Sequence, residues 1–345
     1  MRYRGLGATG IQVSELGFGL WTLATNWWGE HDDASAQRLL KRALGLGVTF
    51  FDTADTYGQG KGETLLAELL KTTPRDSVVL STKFGYNWRD APNTDGHKES
   101  PQDFSVDFVR RSLEDSLRRL NTDYVDIWQL HNPRRSALES DDLFTYLDGV
   151  KREGKVRAVG VALGPAIGWR DEGEYALRDR GVDIVQMIYN ILEQDPGRHL
   201  LGVAEEQKSG LLVRVPHSSG MLEGRYTADT TFDSSDHRSH RNREWLVRGL
   251  AALERLSFLT AGTSMTIGQA ALRFVVASEP VAASLPNIYD EDQLVEFAAA
   301  SDFPDLTSQQ LASLETLYES DFKHSFAASP QDSNSRPAPV AGISA

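Results

Sequence analysis

The chain of 345 residues contains no cysteine. Disulfides, thiolate nucleophiles and cysteine-ligated metals are therefore excluded outright. It also lacks an excess of positive charge: 36 Lys and Arg stand against 49 Asp and Glu, a formal charge of −13. Nucleic acid and anionic membrane surfaces both need a basic face, so neither is an expected partner. No run of about 18 apolar residues occurs, and the opening MRYRGLGATG has no apolar core of the signal-peptide kind. The expectation is a cytoplasmic protein. A Rossmann-type GxGxxG is missing as well, because Gly17 and Gly19 are too few and lack the helix that the motif requires.

What is present is a soluble globular composition, 40% hydrophobic and 25% charged,. Its centre is FFDTADTYG at 50–58, where two phenylalanines lead into Asp52 as at the end of a buried strand. Tyr57 follows five residues later, and Gly58 ends the turn. STKF places Lys83 at the end of a second β-rich run, and IWQLHNP places His131 at the end of a third. In a barrel of parallel strands, catalytic residues collect at such carboxyl ends.

Along the chain, glycines between short alternating runs in residues 1–14 signal a β-hairpin. Strands are expected at 15–20, 49–52, 78–83, 124–130, 156–161, 183–189, 211–215 and 281–285. Helical spacing lies between them, with Asp32 or Asp33 and Ser105 as caps and Val109, Leu113, Leu117 and Leu120 as a core stripe. Residues 85–104 read as a long loop over the active face. Between strands 7 and 8 come a polar loop (223–242) and two further helical stretches, 243–259 and 266–278. This alternation gives an α/β fold, a parallel sheet that right-handed crossovers close into a (β/α)8 TIM barrel. One domain over 1–324 is expected, with a mobile Ser/Pro/Ala-rich tail over 325–345.

The chain resembles the aldo-keto reductases. The family's Asp, Tyr, Lys and His tetrad maps onto Asp52, Tyr57, Lys83 and His131. The likeness extends over YRGLGATGIQVSELGFGLW, KREGKVRAVGV, VDIVQMIYN and PHSSGMLEG. It implies a barrel closed at the bottom by the hairpin, and a nicotinamide-dependent oxidoreductase acting on an aldehyde, ketone or alcohol.

The tetrad's chemistry follows from reduction, in which hydride reaches carbon while a proton reaches oxygen. A free phenol, with pKa near 10, is a sluggish donor at neutral pH. A nearby ammonium favours the phenolate. Tyr57 is thus assigned as general acid and Lys83 as its tuner. Asp52 anchors the lysine, and His131 orients the carbonyl oxygen. Taken singly, each has a bland alternative: Asp52 could cap the next helix, and a lone Lys or His could be solvated.

The cofactor implied is NADP(H) or NAD(H). Gly19, Trp21, Asp52, Ala162, Gln186, Arg214, Val215, Pro216, His217, Ser219, Arg238, Arg241, Pro286, Gln293 and Glu296 are expected around it. Gln186 matches the glutamine that takes the nicotinamide carboxamide. Several positions depart from the family. Ala162 and Leu163 replace Ser-Asn, Arg214 stands where a tyrosine often stacks on the ring, and Phe297 takes the place of an adenine-binding asparagine. Asp290, Glu291 and Asp292 occupy the region that often supplies a cation to the 2′-phosphate, so this segment alone favours NAD; these acids could also simply start a helix. Arg238, Arg241 and Arg243 in the loop 234–244 could instead hold phosphate. His237 and His240 lack a third ligand at metal spacing, so no metal is expected. A small polar or sugar-like carbonyl substrate is suggested by Asn26, Trp27, Trp28, Tyr86, Trp88 and Asn132 near the mouth. The departures keep open a lyase or epimerase using the same proton machinery, or a regulatory binding protein on the barrel.

Overall fold

The computed structural model describes residues 1–326 except 26, 30, 91–99, 165–168, 235 and the His240 side chain. Asn26 and residues 327–345 of the expected tail thus lie outside the described residues.

The strands β1 (Tyr3–Gly5) and β2 (Gln12–Ser14) form the antiparallel hairpin. Eight parallel strands follow in sheet order: β3 (Phe18–Gly19), β4 (Phe50–Asp52), β5 (Val79–Phe84), β6 (Val125–His131), β7 (Val156–Ala162), β8 (Ile184–Ile188), β9 (Gly210–Arg214) and β10 (Val281–Leu285). The ring closes where Leu16 bridges Ser284, with Gly17 donating to Ser284 O and Ser284 to Glu15 O, both at 2.8 Å. The expected (β/α)8 barrel is the one observed.

Inward side chains fill the barrel's lower half. Phe50, Val79, Ile127, Ala158, Ile184 and Leu212 pack with Leu6, Ile11 and Val13 of the hairpin. The hairpin therefore plugs the amino-terminal mouth, leaving the carboxyl ends of the strands as the open face. Outside, helices bury their apolar stripes on the strands; Val106–Leu120 turns Val109, Leu113 and Leu120 inward. Leu117 is only partly buried, packed against the edge of that core.

Local differences have local causes. Strand 1 shortens to Phe18–Gly19 because Trp21 already begins a helical turn, Trp21–Ala24. Asp32 caps the helix Asp33–Gly45 through Ser35 N. Ser105 holds the expected cap position but makes no cap bond, and Asp103 Oδ1 accepts from Ser105 N at 2.8 Å instead. The stretch 266–278 ends at Val275, after a Thr266–Gln269 capping box. Ser325 and Phe326, placed in the tail by composition, are held: Phe326 is 9% exposed and meets Phe322 edge-on at 5.9 Å. None of the described helices is long and apolar enough to cross a membrane.

Candidate active site

The open face gathers the four residues singled out from sequence. Asp52 ends β4 and Lys83 lies one residue before the end of β5, both buried. Lys83 Nζ donates to Asp52 Oδ1 and, at 2.8 Å, to Thr53 O. Asp52 Oδ2 accepts from Ser81 Oγ at 2.9 Å, Gln186 Nε2 at 3.1 Å and Gln129 Nε2 at 3.3 Å. Asp52 does not cap the following helix, Lys61–Leu70, whose cap position is Gly60. A buried ion pair whose remaining lone pairs are so satisfied is rigid, and it fixes where the ammonium points.

The ammonium lies 5.1 Å from the centroid of the Tyr57 ring. The ring of Tyr57 meets His131 edge-on at 5.9 Å, and Tyr86 meets His131 at 5.0 Å. Among the described residues the Tyr57 hydroxyl has no protein partner, and buried His131 Nδ1 has none either. Burial, followed by the charges of Lys83 and Arg214, holds His131 well below the ordinary histidine range. Its imidazole is therefore neutral at physiological pH, a hydrogen-bonding group and not a cation.

Several of the residues expected at the cofactor surround this centre. A Cβ built at Gly19 would meet no atom within 4 Å, so open space lies above β3. After β9 the backbone takes left-handed φ at Val215 (56°), Ser218 (47°) and Ser219 (55°). For a β-branched residue such as Val215 that conformation is strained, and such strain clusters at ligand clamps. The open floor and the strained strand-end turn fit a bound dinucleotide. When bound, it supplies the hydride.

Other residues expected at the cofactor have partners within the protein. Gln186 points its amide at Asp52. His217 is 3% exposed, bonds Gly268 O at 3.0 Å and packs on Phe297 at 4.5 Å. Phe297, at the position of the family's asparagine, thus makes a tilted ring contact with His217. Gln293 accepts from Tyr289 N at 3.1 Å and donates to Glu223 Oε2 at 3.0 Å. Glu296 accepts from Thr266 Oγ1 at 2.7 Å and Arg225 Nη2 at 3.0 Å. Asp290 caps the helix Glu291–Ala298, the bland role considered for it. Arg238 grips Asp236 at 2.6 Å and lies over Trp28 at 4.8 Å, while Arg241 reaches Ser219 Oγ at 3.0 Å and Glu193 at 3.2 Å. Arg243 begins a helix. Ala162 and Pro286 are buried at the ends of β7 and β10.

Near the mouth, Asn132 Nδ2 donates to Tyr86 OH at 2.7 Å, and Trp27 stacks on His237 at 5.2 Å. Trp28 stacks on Tyr289 at 6.0 Å. Trp88 does not join them; it packs between Arg89 and Arg119, at 4.8 and 5.9 Å, and hydrogen-bonds Asp55. Glu223, which sequence reasoning missed, is a buried carboxyl beside Gln293 with its pKa raised to about 7. Nothing local in MLEGR marks it, because burial comes from elements far along the chain.

The model of the Aldo/keto reductase family matches residues 15–319. The chain belongs to that family. Aldo-keto reductase YhdN of Bacillus subtilis is 30% identical over 70% of this chain and 69% of its own. The NADH-specific methylglyoxal reductase of Escherichia coli is 29% identical over 86% of this chain and 92% of its own. The solved holo form of an aldo-keto reductase from Bacillus halodurans superimposes with a TM-score of 0.73 at 27% identity, covering 92% of this chain and 96% of that one. The chain is accordingly a nicotinamide-dependent oxidoreductase that interconverts carbonyl and alcohol.

Proposed function

We propose that the chain reduces a small polar carbonyl, with Tyr57 as proton donor and NADH as the preferred hydride source. The observation carrying the first part is the convergence of Lys83, Tyr57 and His131, with the Tyr57 hydroxyl unpartnered and His131 held neutral. A carbonyl oxygen between Tyr57 and His131 accepts from both. As hydride reaches carbon, the phenol proton moves to oxygen, and Lys83 stabilises the negative charge left on the phenol oxygen.

NADH is supported by the charges around Asp290. Arg225, Arg238, Arg241 and Arg42 each already pair with a carboxylate: Glu296, Asp236, Glu193 and Glu291. No cation pairs with Asp290 or Asp292 among the described residues, and no lysine occurs between Lys208 and Lys323. A dianionic 2′-phosphate would meet carboxylates there, whereas a ribose hydroxyl can donate to them. The name of the Escherichia coli relative agrees with this choice and makes methylglyoxal a suitable probe substrate.

Tyr57→Phe removes only the hydroxyl. Its NADH affinity should stay at the wild-type value while methylglyoxal turnover falls by at least about 10². Undiminished turnover would take Tyr57 out of the mechanism. Wild-type protein that binds NADPH as tightly as NADH would overturn the cofactor preference.

A further inference from the structure

The last residue of β9, Arg214, sends its head across β8 to the end of β7. Its Nη2 donates to Leu163 O at 2.8 Å and Gly164 O at 2.6 Å. Beneath this span, Leu163 N donates at 2.9 Å to the carbonyl of Gln186 on β8. The guanidinium is thus clamped over the strand ends, at the level of the tetrad. Its partners are neutral carbonyls; no carboxylate pairs with it among the described residues. Burial lowers the pKa of Arg214, opposed by Tyr57, Asp52 and Tyr86.

The charges at the reaction centre do not cancel. Asp52 is matched by Lys83, and His131 is neutral. Arg214 is left over, so the centre carries a net charge of about +1. A nicotinamide that delivers hydride to a carbonyl held by Tyr57 must bring its ring within about 3–3.5 Å of that carbon. The ring therefore lies in the field of Arg214 whatever its tilt. Giving up hydride turns the neutral ring into a cation.

We propose that Arg214 is a positioning and specificity residue of the cofactor site. Its unpaired charge destabilises the oxidised, cationic nicotinamide relative to the reduced one and so biases the protein toward carbonyl reduction. This rests on the reading of Tyr57 and His131 as the place of hydride transfer. At an effective dielectric near 20, two unit charges about 4 Å apart alter an equilibrium by roughly a thousandfold. Solvent at the partly open mouth reduces that, so about tenfold is the expected size.

NADH and NAD+ share every phosphate and ribose and differ only at the nicotinamide ring, by one hydride and hence one unit of charge. Their ratio of dissociation constants, measured by calorimetry, isolates the effect. Wild-type protein should bind NADH more tightly than NAD+. Arg214→Met keeps an unbranched stem but removes the charge, and should shrink the ratio about tenfold, mainly by tightening NAD+. Arg214→Lys keeps the charge and should keep the wild-type ratio. An unchanged ratio in Arg214→Met overturns the proposal, including the case where both dinucleotides weaken alike. Equal shrinkage in Arg214→Lys also overturns it, because packing rather than charge would then be responsible. Tyr57→Phe separates this from the site reading: it should lose turnover yet show the wild-type ratio. Retained turnover there would defeat the site reading through a measurement independent of the ratio.

Discussion

Gln186 donates its amide to Asp52 Oδ2 at 3.1 Å, which makes a residue of β8 part of the support for an ion pair between β4 and β5. Asp52 receives three further donors, from Lys83, Ser81 and Gln129. Removing one leaves the carboxylate bonded but less firmly aimed. Gln186→Met keeps volume and removes the donor, so stability should fall by about 1–3 kcal/mol. Turnover at saturating cofactor should fall as well, because the ammonium that serves Tyr57 is held through Asp52. Steady-state kinetics decide the matter: a rise in KM for the dinucleotide with unchanged kcat would make Gln186 a cofactor contact alone.

The carboxyl-terminal boundary can be placed by truncation. Phe326 is 9% exposed against Phe322, and Arg248 Nη1 donates to Ser325 O at 3.0 Å. Burial of one phenylalanine contributes about 1.5–3 kcal/mol. A chain ending after Phe326 should therefore keep the full-length melting temperature, whereas one ending after His324 should melt several degrees lower. Activity at 25 °C should be the same in both. Equal melting of the two truncations would show that the Phe322–Phe326 contact contributes nothing.

Asp52, Lys83 and His131 were legible because each closes a largely apolar run, and a strand end is a local feature. FFD, STKF and WQLH needed no knowledge of distant residues. The cofactor pocket was less so. Whether an arginine is available depends on its partner, and the carboxylate of Arg241 is Glu193, 48 positions away. The role of Phe297, in the helix Glu291–Ala298, depends on His217, on the turn after β9. Composition places Phe326 in the tail because Ser, Pro and Ala surround it, whereas one aromatic ring docked on Phe322 decides its burial. Strand 1 is shorter than its apolar residues suggest for a similar reason. Its apolar residues run on through Trp21, and apolar character alone does not separate a strand from a buried helical turn.

Glu223 links pH to stability at this pocket. Burial raises its pKa from 4.5 to about 7, against smaller lowering effects of the Gln293 bond and of Arg225. The native state thus holds its proton more tightly than the unfolded chain does. Below pH 4.5 both states are protonated and the shift has no effect. As pH rises from 4.5 through 7, the unfolded chain releases the proton first, and native stability declines by about 2–3 kcal/mol. Glu223→Gln keeps the shape and cannot ionise. It should match or trail wild type near pH 5 and exceed it at pH 8, so the two denaturation midpoints should cross as pH rises. The same change lowers the negative charge beside Asp290, so the NADPH affinity of the variant should rise at pH 8 more than at pH 6. Parallel stability curves from pH 5 to 8 would mean that Glu223 ionises as an ordinary exposed carboxylate and that solvent reaches it freely.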